Sequence, residues 1–182
     1  MISISLCMIV KNEAEALVRC LGSAAPIVDE IVIVDLGSRD RTREIAFQFT
    51  DRLLHSAWVD DVAVARNFAF DAATQDYILW LDAGDVLLPY NQQKLLKLKQ
   101  SLQTYVDCVS MLYELGRDEY GNVTHSPRRN RLVKRCRHFR WHDEGNEQLS
   151  VSGRLLASDI AISRQSLSEW KPARNRSDYI TS

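Results

Sequence analysis

Asp82 and Asp85, in the stretch LDAGD, lie three residues apart at the end of an apolar run, YILWL. Two hard oxygen donors that close suit a Mg²⁺ or Mn²⁺ ion beside a diphosphate, so the pair is the candidate metal site; the same letters also read as a strand end and turn. Asp35 closes a second apolar run, EIVIVD, and opens the turn DLGSRD. A carboxylate there can accept hydrogen bonds from a ligand, while Asp40 reads as the cap of the following helix. Glu13 either accepts from a ribose hydroxyl or simply favours the first turn of its own helix. Arg66 and Asn67 interrupt the apolar stretch VAVARNFAF. A polar pair there predicts contact with a phosphate or base; the alternatives are a surface ion pair for Arg66 and a local cap for Asn67.

Strands and helices in alternation must hold these residues. Ile2 to Val10 and Glu30 to Asp35 are apolar almost throughout, as strands buried on both faces are, and Tyr77 to Leu81 continues the series, with Arg52 to Trp58 as a further strand. Helices are predicted after Asn12, which can cap one with Glu15 completing a capping box, after Asp40, over Val62 to Ala73 and over about Asn91 to Leu102. This order predicts an α/β fold with a mostly parallel central sheet, flanking helices and right-handed crossovers. Ligands then gather at the carboxyl ends of the strands, an edge that Asp35 and Asp82 share. The second half is less regular: Val106 to Leu115, a turn at Glu119 to Asn122, and short strand signals at Leu149 to Val151 and Ile160 to Ile162 predict a hairpin or mixed-strand extension.

The chain has 182 residues, which fits one core, so residues 1–170 read as a single domain and 171–182 as a polar tail or the start of a truncated element. Its formal charge of -1 gives no long-range pull toward polyanions. Arg128, Arg129, Arg131, Lys134, Arg135, Arg137 and Arg140 form the one basic concentration, and the expectation is a solvated strand with some arginines paired to Asp143, Glu144 or Glu147, not a nucleic-acid site. No segment has the pattern of a signal peptide or a transmembrane helix, and a cytoplasmic location is expected. Cys7, Cys20, Cys108 and Cys136 lack zinc-site spacing and read as free thiols.

Taken in order, ISLCMIVKNE at residues 4–13, VDEIVIVD with GS and DRT at 28–42, Trp58 through Ala69, and DYILWLDA with Asp85 resemble the family 2 glycosyltransferases. The resemblance covers the whole parallel-sheet half and is greatest for a bacterial branch that often continues further, sometimes into helical repeats. It implies the GT-A fold, which is Rossmann-like, and inverting transfer from a nucleotide-diphosphate sugar, UDP favoured, with Mn²⁺ or Mg²⁺. The acceptor is a hydroxyl of a glycan, a lipid-linked sugar or a protein side chain. It further implies that Asp35 and Glu13 bind the nucleoside, that Arg66 and Asn67 make substrate-side contacts, and that Asp82 anchors the metal. Gly84 stands where the family's second metal aspartate is usual, so Asp85 is its substitute, with glycine's freedom at positive φ letting the turn fold back. In WHDEGNEQLSVSG the family's His-Glu pair falls on Asn146 and Glu147, leaving Glu147 as the implied base and Asp143 or Glu144 as neighbouring carboxylates. Arg164 stands where a histidine commonly closes its strand. These departures keep an alternative open, a noncatalytic nucleotide-sugar-binding or assembly module.

Overall fold

The computed structural model describes residues 1–56, 61–143 and 147–165. The elements are β1 (Ile4–Val10), α1 (Ala14–Ala24), β2 (Glu30–Asp35), α2 (Thr42–Phe47), β3 (Leu53–His55), α3 (Val62–Ala72), β4 (Tyr77–Trp80), β5 (Asp85–Val86) and α4 (Pro89–Ser101). There follow β6 (Cys108–Glu114), β7 (Gly116–Arg117), β8 (Val123–His125), β9 (Arg128–Lys134), β10 (Arg140–Asp143), β11 (Glu147–Ser150) and β12 (Leu155–Arg164). Eight strands form one sheet in the order β3-β2-β1-β4-β9-β6-β12-β5. The α/β expectation holds: β3, β2, β1 and β4 are parallel, and the second half is mixed.

The apolar runs are continuous because both faces of the sheet are covered. Along β1, Ile4, Leu6, Met8 and Val10 point to one face, where they join Leu17 and Leu21 of α1 and Leu95 of α4. Cys7 points to the other, joining Val32, Val34, Ile78, Trp80 and the α3 residues Ala65, Ala69 and Phe70. Leu17 and Leu21 are fully buried, and burial of such a side chain contributes about 1.5–3 kcal/mol.

Two expectations are corrected. The basic stretch gives β9, which is no outlying extension: it runs antiparallel between β4 and β6 in the middle of the sheet. β6 and β12 therefore run in the same sense as β1, and the end of β12 lies on the same edge as Asp35 and Asp82. Asn12, for its part, does not cap α1. It adopts a left-handed φ of 54°, and the helix has no side-chain cap from its N-cap residue, Glu13.

Cys7, Cys20 and Cys108 are buried free thiols and Cys136 is an exposed one. Among the described residues no helix is long and apolar enough to cross a membrane. Trp58, Glu144, Asn146 and the 171–182 tail lie outside the described residues, as does the side chain of Asp143.

Candidate active site

The loops after β1 and β2 lace together at the carboxyl edge. The Asn12 amide N–H donates to Ser38 Oγ, and Asn12 Oδ1 accepts from the Arg39 N–H. Asp40 is bifunctional, taking the Thr42 N–H at 3.0 Å on one oxygen and the Ala14 N–H at 3.3 Å on the other. Thr42 Oγ1 in turn accepts from the Glu13 N–H. The N-terminus of α1 is thus satisfied by the neighbouring loop, which gives the polar letters of KNE and DLGSRDRT a shared structural purpose. Asp35 is buried beneath this lacing, and both its oxygens lie within hydrogen-bond reach of the Ser38 N–H. Glu13 is exposed at the rim. Loss of water around its carboxyl lifts it above its ordinary value, with Arg164 opposing and Asp82 and Asp40 adding to the rise.

After β4 the chain makes a tight turn closed by the Asp85 N–H on the Asp82 carbonyl, at 2.9 Å. Gly84 is not among the residues at positive φ, so the turn forms without the conformational freedom expected of it. The structure brings Asp82 and Asp85 together but points them differently. Asp85 is fully buried: one oxygen accepts from Tyr113 Oη at 2.8 Å, the other from Arg131 Nη1 and the Asp82 N–H, both at 2.9 Å. Burial lifts the Asp85 carboxyl above its ordinary value while Arg131 opposes the rise. Asp82 keeps 31% of its side-chain surface and pairs through Oδ1 with Arg66 Nη2 at 2.9 Å. Burial alone would raise its carboxyl, but the charge and hydrogen bond of Arg66 outweigh that and hold it below the ordinary value.

Arg66 is a buried guanidinium with two carboxylates. Its Nε donates to Glu147 Oε2, also at 2.9 Å, and its plane lies 4.6 Å from the Trp141 ring and 5.0 Å from the Trp80 ring. Glu147 is carried there by the β10–β11 hairpin, in which Asp143 is its register partner. Asn67 secures that hairpin to α3: its amide donates to the Trp141 carbonyl and accepts from the Trp141 N–H. Both ends of the Asn67 amide are engaged in this backbone clamp. Arg66 is no surface ion pair, since it is 8% exposed and joins the candidate base to the candidate metal anchor.

Sequence reasoning missed Arg131 and Tyr113. Arg131 is completely buried, with its guanidinium 3.9 Å from Trp80 and 4.4 Å from Tyr113. Its one sequence signal is its place beside Leu132 and Val133, a charge at the start of an apolar pair. The other basic side chains of this stretch also meet partners different from those expected. Arg137 faces Asp107, Arg140 pairs with Asp71, and Arg128, Arg135 and Lys134 donate to the carbonyls of Ser158, Gln75 and Thr104. His142 is exposed on β10.

Residues 5–168 match Glycosyl transferase family 2, and the chain belongs to that family. It is 53% identical over 88 residues to a TPR repeat-containing protein of Synechococcus elongatus, covering 48% of this chain and 22% of that protein. It is 31% identical over 109 residues to the SPbeta prophage-derived glycosyltransferase SunS of Bacillus subtilis, covering 58% and 26% respectively. The chain thus spans about a quarter of the length of these relatives. Its fold is similar to that of S. aureus TarS 1-349, with a TM-score of 0.51 at 16% identity, over 68% of this chain and 38% of that one. The fold is accordingly GT-A-like, with a central mixed sheet and flanking helices.

Proposed function

We propose that this chain moves a sugar from a nucleotide-diphosphate sugar, UDP favoured, to a hydroxyl acceptor, with inversion at the anomeric carbon and divalent-metal assistance. The observation that carries this reading is the buried guanidinium of Arg66, which holds Asp82 and Glu147 together at the carboxyl edge of the sheet. Family membership supports the reaction class, and the glycosyltransferase SunS among the relatives supports it further. The bacterial sources of the relatives favour a bacterial branch, and a cytoplasmic site suits the free thiols.

Among the described residues there is no preformed group of three or more His, Cys, Asp or Glu side chains able to hold a metal. Asp82 nevertheless fits one, because Mg²⁺-type sites often take only one or two carboxylates and complete their shell with substrate phosphates and water. The ion, when bound, supplies neutralising charge to the departing diphosphate. Asp82 is then its anchor, and Asp85, with its oxygens committed inward, fixes the turn that presents Asp82. Glu13 and Asp35 serve the nucleoside from the laced loops. Glu147 has one oxygen fixed by Arg66 and lone pairs left to take the acceptor's proton as that hydroxyl attacks the anomeric carbon. The bond from that carbon to the diphosphate oxygen breaks with its electron pair leaving on the diphosphate. Asp143, opposite Glu147 in register, is the second candidate base. The acceptor class remains a glycan, a lipid-linked sugar or a protein side chain.

The inward turn of Asp85 favours a second reading, a noncatalytic nucleotide-sugar-binding module. Donor hydrolysis and transfer with Mn²⁺ separate the two. Multiple turnovers that fall by about a hundredfold or more in Asp82→Asn are expected, in line with loss of several kcal/mol of charge stabilisation. Equal rates in the two proteins would remove the metal role of Asp82, and UDP binding with no turnover would establish the module.

A further inference from the structure

The geometry points to Arg164 as a binding residue for the donor's diphosphate, a cation that grips the phosphates beside the acidic turn. This rests on the donor-binding reading above and extends it to a residue at which a neutral imidazole, not a guanidinium, was the family expectation.

Three arginines converge on the acidic turn, and two of them are spent. Arg66 is paired with Asp82 and Glu147, and Arg131 is sealed under the turn on Asp85. Arg164 is different. It is exposed, and among the described residues it forms no ion pair. Its position is nonetheless fixed relative to the turn: in the β5–β12 pairing Arg164 is the register partner of Asp85 itself. Its Nη1 lies 3.3 Å from Tyr113 Oη, the hydroxyl that donates to Asp85, so the guanidinium sits above the chain of bonds that orders the turn. From there it acts electrostatically on Asp82, Asp85 and Glu13.

The charge balance requires such a group. Glu13, Asp82, Asp85 and Glu147 line this edge, and a nucleoside diphosphate brought among them adds two or more negative charges. Arg66 and Arg131 already answer protein carboxylates. Arg164 is an exposed cation beside them, and a planar guanidinium matches two phosphate oxygens at once. Being cationic and without an acceptor, it cannot ligate a metal, so its contribution to diphosphate binding is independent of Mn²⁺. The phosphates then retain affinity for the site with the metal removed, and that affinity resides in the diphosphate, not in the nucleoside.

The test is calorimetric titration of UDP and of UMP into the full chain in EDTA, for wild type, Arg164→Gln and Arg164→Lys, with melting curves on each. Because Arg164 is exposed, all three are expected to melt together. Arg164→Gln is expected to weaken UDP by about tenfold, the worth of one charge-assisted contact, while UMP barely changes and Arg164→Lys falls between. Wild-type affinity for UDP, but not that of the Gln variant, should fall steeply with added salt. Unchanged UDP affinity in Arg164→Gln overturns the assignment, and so does an equal loss for UMP and UDP; both leave the donor site itself standing. Wild-type protein that binds neither nucleotide, with or without Mn²⁺, removes the donor-site reading and this assignment together.

Discussion

Two aspartates three residues apart have opposite duties here, and the division follows from what each faces. Asp82 keeps contact with solvent and answers Arg66, whereas Asp85 lies under the sheet edge with Arg131, Tyr113 and a backbone amide. A charge pair this deep is stabilising only while complete, since removing one partner strands the other without water. Arg131→Met is therefore expected to lower unfolding free energy by about 3–5 kcal/mol in urea titration. A loss of under about 1 kcal/mol would show that Asp85 does not depend on its buried partner. The spacing of Asp82 and Asp85 was legible in the sequence, as were Arg66 and Glu147. The direction of Asp85 was not, because its partners lie 28 and 46 residues away along the chain. Asn12 and Asp40 read as local helix caps, but their cross-loop bonds are tertiary and no local cap rule contains them.

At the scale of elements, β1, β2 and β4 were legible because burial on both faces leaves an unbroken apolar run, and α3 followed from its position between β2 and β4. The place of β9 was not, since an antiparallel strand with arginines at its start carries the local signature of an exposed edge. Only the pairing of Tyr77 with Lys134 and of Cys108 with Val133 brings it to the centre. Two turns at opposite ends of β12 make opposite demands on glycine. At Gly153, φ is +95° and an added Cβ would lie 2.2 Å from Asp107 Oδ2, the oxygen that accepts the Arg154 N–H at the start of β12. At Gly84 the closest atom to such a Cβ is the Gln165 carbonyl oxygen at 3.9 Å, and φ is outside the positive region. Thermal melts should accordingly separate the two alanine variants. Gly84→Ala is expected to be stabilising by about 0.4–1 kcal/mol through the unfolded chain, and Gly153→Ala destabilising by more than that. Equal effects would contradict the turn geometry.

For the molecule as a whole, the near-neutral charge conceals a sharply organised one, with basic side chains of the β9 region answered by their own fold and the arginines of the active edge set against its carboxylates. The donor must fit into that balance, so metal and nucleotide are expected to assist each other at Asp82, with little metal affinity before the diphosphate arrives. Calorimetry of Mn²⁺ with and without UDP, in wild type and Asp82→Asn, measures this directly. Mn²⁺ affinity should rise at least about tenfold when UDP is present, a coupling of about 1.4 kcal/mol, and the rise should vanish in Asp82→Asn. If Mn²⁺ and UDP bind independently of each other, and Asp82→Asn alters neither, the acidic turn is not a metal-assisted donor site.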